Sequence, residues 1–157
     1  MADFVFTKET IVPGTPTEVW EFHEEADTFR KLLPPFERTV ILQTPSGLEV
    51  GALVRTKTWI GPVPTGIEAR ITKSSKPDYF EDEMLRGPFA FWQHRHEFLP
   101  GPTDRTTLYR DVLTYRPPLG FIGRLVRPFL IAPRLKMVFD YRHQVVLREL
   151  VERYGEL

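Results

Sequence analysis

The run Gly87-Pro-Phe-Ala-Phe-Trp-Gln-His-Arg-His-Glu-Phe98 constrains what this chain can fold into more than any other stretch. It reads as a long strand. Strand side chains alternate between faces, so Trp92, His94, His96 and Phe98 share one face while Phe89, Phe91, Gln93, Arg95 and Glu97 share the other. Gln93, Arg95 and Glu97 in succession suit solvent. The aromatic and imidazole face therefore turns inward as a candidate cavity wall, and a sheet with such a face needs a second layer to cover it.

The C-terminal third supplies that layer. After Pro117-Pro118-Leu119-Gly120 the apolar residues recur every three to four positions: Leu135, Val138/Phe139, Val145/Val146 and Leu150. Lys136, Asp140, Arg148, Glu149, Glu152 and Arg153 fill the polar side. Pro128 and Pro133 are expected to interrupt the pattern, leaving a preliminary segment near Phe121 to Arg127 and one long helix from about Arg134 to Tyr154.

Upstream, a first strand runs from Phe4 to Val12. Thr15-Pro16-Thr17-Glu18 is a capping box with proline at the first helical position, opening a short helix through Val19, Trp20 and Phe22. Asp27 is placed to cap a second short helix, Thr28 to Leu33, stopped by Pro34-Pro35. Strands then follow at Glu37 to Gln43, Glu49 to Trp59, Ile67 to Ser74, Tyr79 to Leu85, the Gly87 stretch and Arg105 to Tyr115, separated by short turn signals. The expectation is an α+β helix-grip fold: a seven-stranded antiparallel sheet wrapped around a long C-terminal helix, with two short helices after strand 1, in a single domain over residues 1–157.

Composition limits function. The chain has 157 residues, is 41% hydrophobic, and balances 21 Lys+Arg against 21 Asp+Glu, so no overall field favours nucleic acid. The absence of cysteine removes disulfides, thiol nucleophiles and thiolate metal sites. There is no signal-like N-terminus and no run of about 18 apolar residues, so a soluble cytoplasmic protein is expected. Fifteen prolines with three glutamines and no asparagine fit a thermophilic source.

The segment Ile11 to Trp20 resembles the first strand and helix of the START and birch-pollen-allergen-like superfamily, also called the polyketide cyclase/dehydrase and lipid-transport group. Phe80-x-Asp82, Gly87-Pro88-Phe89, Trp92-x-His94-x-His96-x-Phe98, Asp111, Tyr115-x-x-Pro118-x-Gly120 and Phe139-x-x-Arg142 resemble a bacterial ligand-binding subgroup of it. The resemblance implies an apolar cavity between sheet and terminal helix that takes lipids, sterols or aromatic polyketides, with cyclisation or dehydration catalysed in some members.

On this reading a small hydrophobic molecule is held by Trp59, Phe80, Asp82, Trp92, His94, His96, Phe98, Tyr109, Val138 and Arg142, without a cofactor. Arg142 falls in the apolar stripe and either binds a ligand carboxylate or snorkels to the surface. A His-x-His pair with Asp82 on the neighbouring strand is also a two-His-one-Asp metal set, but a cupin-like site needs a further acid where Pro100-Gly101 stand. A pocket wall with no metal is therefore preferred. The enzymatic alternative is a cyclase or dehydratase in which His94 or His96, with Asp82 or Asp111 setting its tautomer, moves a proton. Ser46, Ser74 and Ser75 lie in turns with no nucleophile elbow.

Residues 116–136 carry Arg116, Arg124, Arg127, Arg134 and Lys136, no acid, and many large apolar residues. They form either a lid with a buried apolar side, the preferred reading, or a transient contact with an anionic membrane surface. The Gly61-Pro62-Val63-Pro64-Thr65-Gly66 loop and the Gly120 to Pro133 segment are the expected borders of one cavity entrance.

Overall fold

A computed structural model describes residues 3–157. The strands are β1 (Phe4–Pro13), β2 (Thr39–Gln43), β3 (Leu53–Ile60), β4 (Val63–Ser75), β5 (Tyr79–Arg86), β6 (Phe91–Pro100) and β7 (Thr106–Arg116). Helices α1 (Pro16–Glu24) and α2 (Thr28–Lys31) follow β1, and α3 (Phe121–Val126), a π-helical turn (Arg127–Ile131) and α4 (Ala132–Tyr154) follow β7. All seven strands join one antiparallel sheet in the order β1-β7-β6-β5-β4-β3-β2. This is the expected helix-grip architecture.

Helix α1 starts where the capping box places it. The Glu18 amide donates to the Thr15 hydroxyl at 3.3 Å, and the Thr15 amide donates to the Glu18 carboxylate at 2.7 Å. Thr15→Ala should therefore destabilise the protein by about 1 kcal/mol, read as a lower urea midpoint with an unchanged slope. Asp27, by contrast, does not cap α2: its backbone is already helical and its side chain makes no capping bond. The buried Thr28 hydroxyl instead donates to the Phe22 carbonyl, tying α2 to the end of α1.

Two proline-rich stretches depart from expectation for physical reasons. Residues 61–66 are not a flap: Ile60 pairs with Val63, so Gly61-Pro62 is a two-residue turn and β4 begins at once. Pro64 is tolerated because β4 gains its β5 partner only from Glu68 onward, leaving the missing N–H on an unpaired edge. Pro128 and Pro133 do not break the terminal helix. The π turn between α3 and α4, closed by the Ala132 amide donating to the Arg127 carbonyl, takes in Pro128, Pro133 falls in the first turn of α4, and α4 starts at Ala132 rather than Arg134.

The inward side chains of β7 run Tyr109, Asp111, Leu113, Tyr115, all buried. Two apolar clusters meet along this line. One gathers Trp20, Phe22, Phe80, Phe98, Tyr109, Val146 and Leu150, with Trp20 edge-on to both Phe80 and Phe98. The other gathers Leu113, Tyr115, Leu135, Val138 and Phe139, with Phe4, Phe6 and Trp92 packed against it. Asp111 sits on the strand between them.

Candidate functional site

The register fixes who meets whom. Asp82 on β5 faces His94 on β6, which faces Leu113 on β7; one step on, Phe80 faces His96, which faces Asp111. The period-2 alternation of β6 thus delivers both imidazoles to the inner face beside the one carboxylate of β7 that points inward.

Asp111 is fully buried and is the hub. Its Oδ1 accepts from His94 Nε2 at 3.0 Å and lies 3.0 Å from His96 Nδ1, the latter out of hydrogen-bond alignment. Its Oδ2 accepts from the Tyr109 hydroxyl at 2.9 Å and from His143 Nε2 at 2.8 Å. With Nε2 of His143 donating, its Nδ1 accepts from the Thr10 hydroxyl at 2.8 Å, so the hub links β6, β7, α4 and β1. Aromatic rings hold the imidazoles: His96 stacks on Phe80 at 4.1 Å, His143 on Tyr109 at 4.4 Å, and the edge of Phe139 meets His94 at 5.1 Å.

The environment separates the two strand histidines electrostatically. Burial opposes ionisation of Asp111, but the charge on His96 and the hydrogen bonds from His143 and His94 hold its carboxyl well below the usual range. Burial also opposes the His96 imidazolium, yet Asp111 and Asp82 outweigh it and raise its pKa to about 9. His94 moves down, through burial first and the neighbouring His96 charge second. Burial and the Asp111 charge push the Tyr109 phenol well up. At neutral pH the cluster holds an anionic Asp111, a cationic His96 and a neutral His94.

Of the residues proposed from sequence, Phe80, Asp82, His94, His96, Phe98, Tyr109 and Asp111 come together here. Val138 and Trp92 belong to the neighbouring apolar cluster. Arg142 lies over Phe139 at 5.4 Å with its Nε buried and without a hydrogen-bond partner. Trp59 stands apart: it shares its strand face with the exposed Arg55 and Lys57, and Arg38 covers its ring at 4.1 Å. Two buried members were missed. His143 lies on the same α4 stripe as Phe139, Val146 and Leu150, and His23 follows Phe22 on the inner side of α1, within 5.3 Å of Tyr109. Helical spacing marked both positions.

The expected lid is not buried. The inner contact of α3 is Gly123, where a Cβ would meet the Pro118 carbonyl oxygen at 1.8 Å, so its large side chains point outward. Phe121 and Phe129 are 76% and 77% exposed, and Leu119, Ile122, Leu125 and Leu130 are exposed beside them. A groove of about 420 Å³ runs along this surface, lined by Phe4, Phe121, Arg124, Leu125, Arg127 and Pro128. Arg127 covers the Phe4 ring at 4.0 Å and donates to the Tyr115 hydroxyl at 3.2 Å, standing between groove and core. Residues 61–66 take no part in lining it. Among the described residues no helix is long and apolar enough to cross a membrane.

Comparison with solved structures shows the same fold at low identity. Norcoclaurine synthase from Thalictrum flavum superposes with a TM-score of 0.66 at 17% identity, covering 93% of this chain and 87% of that one. An aromatase/cyclase from a Streptomyces species gives 0.75 at 13% identity, covering 97% and 96%. A nucleoside-diphosphate sugar epimerase from Corynebacterium glutamicum gives 0.70 at 23% identity, covering 92% of this chain but 29% of that one. Among curated proteins, none matches the sequence. The model of the polyketide cyclase / dehydrase and lipid transport family matches residues 12–141. With most of the chain inside that match and the helix-grip sheet around it, the protein belongs to the polyketide cyclase / dehydrase and lipid transport family.

Proposed function

We propose that the protein binds a small hydrophobic molecule and exchanges it at an anionic membrane surface. The observation that carries this reading is the outer face of α3 and the π turn, where five large apolar side chains stand exposed, with Leu119 exposed just before them. Arg124 and Arg127 stand among them and no acid occurs from 116 to 136, while Arg134 and Lys136 on α4 are paired with Glu37 and Asp140. Apolar side chains that enter the lipid interface and cations that meet its phosphates are the two ingredients of surface docking. The groove beside them leads to Phe4 and Arg127, behind which lie Tyr115, Trp92 and Val138. Phe4 both lines the groove and packs on the apolar cluster, so the groove floor is continuous with the apolar half of the interior.

Native mass spectrometry after mild purification should show a co-purifying lipid or aromatic. Sedimentation with phosphatidylglycerol-containing vesicles should retain the protein, and phosphatidylcholine alone should retain much less. The double variant F121S/F129S should weaken vesicle binding at least about tenfold, since burying each phenylalanine contributes roughly 1.5–3 kcal/mol. An empty protein that binds neither vesicle, or a double variant that binds as tightly as the parent, overturns the reading.

A second reading, proton transfer on a bound carbonyl compound, is supported by His94, oriented by Asp111, and His96 standing together next to Asp82. On that reading His94→Gln or His96→Gln removes turnover by about 100- to 10,000-fold while ligand affinity stays within a few-fold. Parallel losses of both assign the histidines to binding.

A further inference from the structure

We propose that Asp82, His94 and His96 form a site for one divalent first-row transition-metal ion, with at least one coordination position left open. The inference is independent of what the apolar groove binds. One donor atom from each residue lies within 4.8 Å of the others. Asp82 Oδ2 is 3.8 Å from His94 Nδ1 and 3.4 Å from His96 Nε2. Both spacings exceed a good N–H···O hydrogen bond. Bonds of about 2.0–2.2 Å in tetrahedral geometry set donors roughly 3.3–3.6 Å apart, so the Asp82–His96 spacing already suits a shared metal and the Asp82–His94 spacing needs only a small inward turn of the rings.

The stronger observation lies behind the donors. A ligating histidine ordinarily gives its other ring nitrogen to a carboxylate, which fixes the tautomer and aims the lone pair at the metal. Here a single buried oxygen, Asp111 Oδ1, does this for His94 and stands close to the matching nitrogen of His96, which has no other partner. It accepts from His94 Nε2 and faces His96 Nδ1, each at 3.0 Å. The nitrogens left over, His94 Nδ1 and His96 Nε2, are the two that face Asp82.

The scaffold is as rigid as the chemistry requires. His94 and His96 are two residues apart on β6, Asp82 is the cross-strand partner of His94, and Phe80 and Phe139 pack against the rings. Asp82 is the most accessible of the three, with its side chain 20% exposed against 12% for His96 and 4% for His94, so the ion enters from its side. Two imidazoles and one carboxylate suit zinc, iron or nickel and not the all-oxygen preference of calcium or magnesium.

The test uses the full chain, stripped with a chelator and titrated with Co²⁺. One equivalent should give the intense visible bands of low-coordinate cobalt, and Zn²⁺ should displace it stoichiometrically. Asp82→Asn, which preserves shape, should weaken Co²⁺ binding at least about 10-fold while leaving the circular dichroism of the stripped protein unchanged. His96→Gln should do the same. If a variant fails to fold, the parent spectrum still decides: no cobalt bands and no zinc uptake from excess metal overturn the site. Binding unaffected by D82N in a folded protein overturns it equally.

Discussion

Asp111→Asn should cost the fold roughly 3–5 kcal/mol, the range for removing one member of a buried ionic group. Four side chains converge on this carboxylate, and an amide of the same shape fails them in two ways. It offers one acceptor oxygen where two are used, so an NH₂ group faces donors already aimed inward. It also removes the anion that keeps His96 charged in a site where burial works against that charge. Because the stability of a domain this size is itself only about 5–15 kcal/mol, the variant stands near the limit of folding. Equilibrium urea unfolding at neutral pH, with and without His96→Gln as a second change, measures the effect and its coupling. A loss under about 1 kcal/mol shows that solvent or rearrangement satisfies the donors and that the hub does not hold the fold together.

The second large effect is on the pH dependence of stability. In chelator-treated protein, stability should peak near pH 6.5 and fall on both sides. On the acid side the responsible groups are His23, whose pKa is lowered to about 4, and His94, which is also lowered. For His23 burial is the main cause, and the His96 and His143 charges act in the same direction, against the Val19 carbonyl and Asp111. Below about 6.5 the unfolded chain takes up a proton that the folded chain refuses, so stability is lost as pH falls from there to about 4. On the alkaline side the group is His96. Its folded pKa of about 9 means that its contribution is fully present below about 6.5 and is lost as pH rises through 9. The His23 and His96 contributions are each on the order of 3 kcal/mol. His23→Phe, which fits a ring already surrounded by Phe22, Phe80, Phe98 and Tyr109, should make the acid limb shallower, leaving the His94 part, and should not change the alkaline limb. A profile in which H23F changes nothing between pH 4 and 6.5 assigns the acid loss to other groups.

Much of the fold was legible because it follows from local rules. Thr15 and Glu18 announce α1 through a short-range exchange of hydrogen bonds, and the alternation from Trp92 to Phe98 places both histidines inward whatever the partners are. What was not legible is what depends on partners distant in sequence. Whether Pro64 belongs to a loop or a strand depends on β5 ending short of it, which no feature of residues 61–66 reveals. Asp27 looks like a cap, but Thr28 is drawn into the core by the Phe22 carbonyl and turns the backbone helical one residue early. The apolar side chains of α3 suggest a lid because apolar residues usually cover something; the decisive residue is Gly123, whose lack of a side chain lets Pro118 take the inner position. In the site, His94, His96 and Asp111 stood out as a strand pattern, whereas His143 was hidden in a helical stripe otherwise filled by apolar residues.

The sheet order has a consequence for how the molecule is made. Strands β2 to β7 pair with sequence neighbours and can form as hairpins while the chain grows, but β1 pairs with β7 alone, from Phe4 with Tyr115 to Pro13 with Thr106. The first strand synthesised is therefore the last to find its place, waiting through some hundred residues of translation with its inward Phe4 and Phe6 uncovered. Closing that long loop brings Thr10 beside Asp111, but their link runs through His143, which emerges later still on α4. Until the terminal helix docks, the buried carboxylate is an anion without its full set of donors, so burial of the polar hub and capture of both chain ends belong to a single late step.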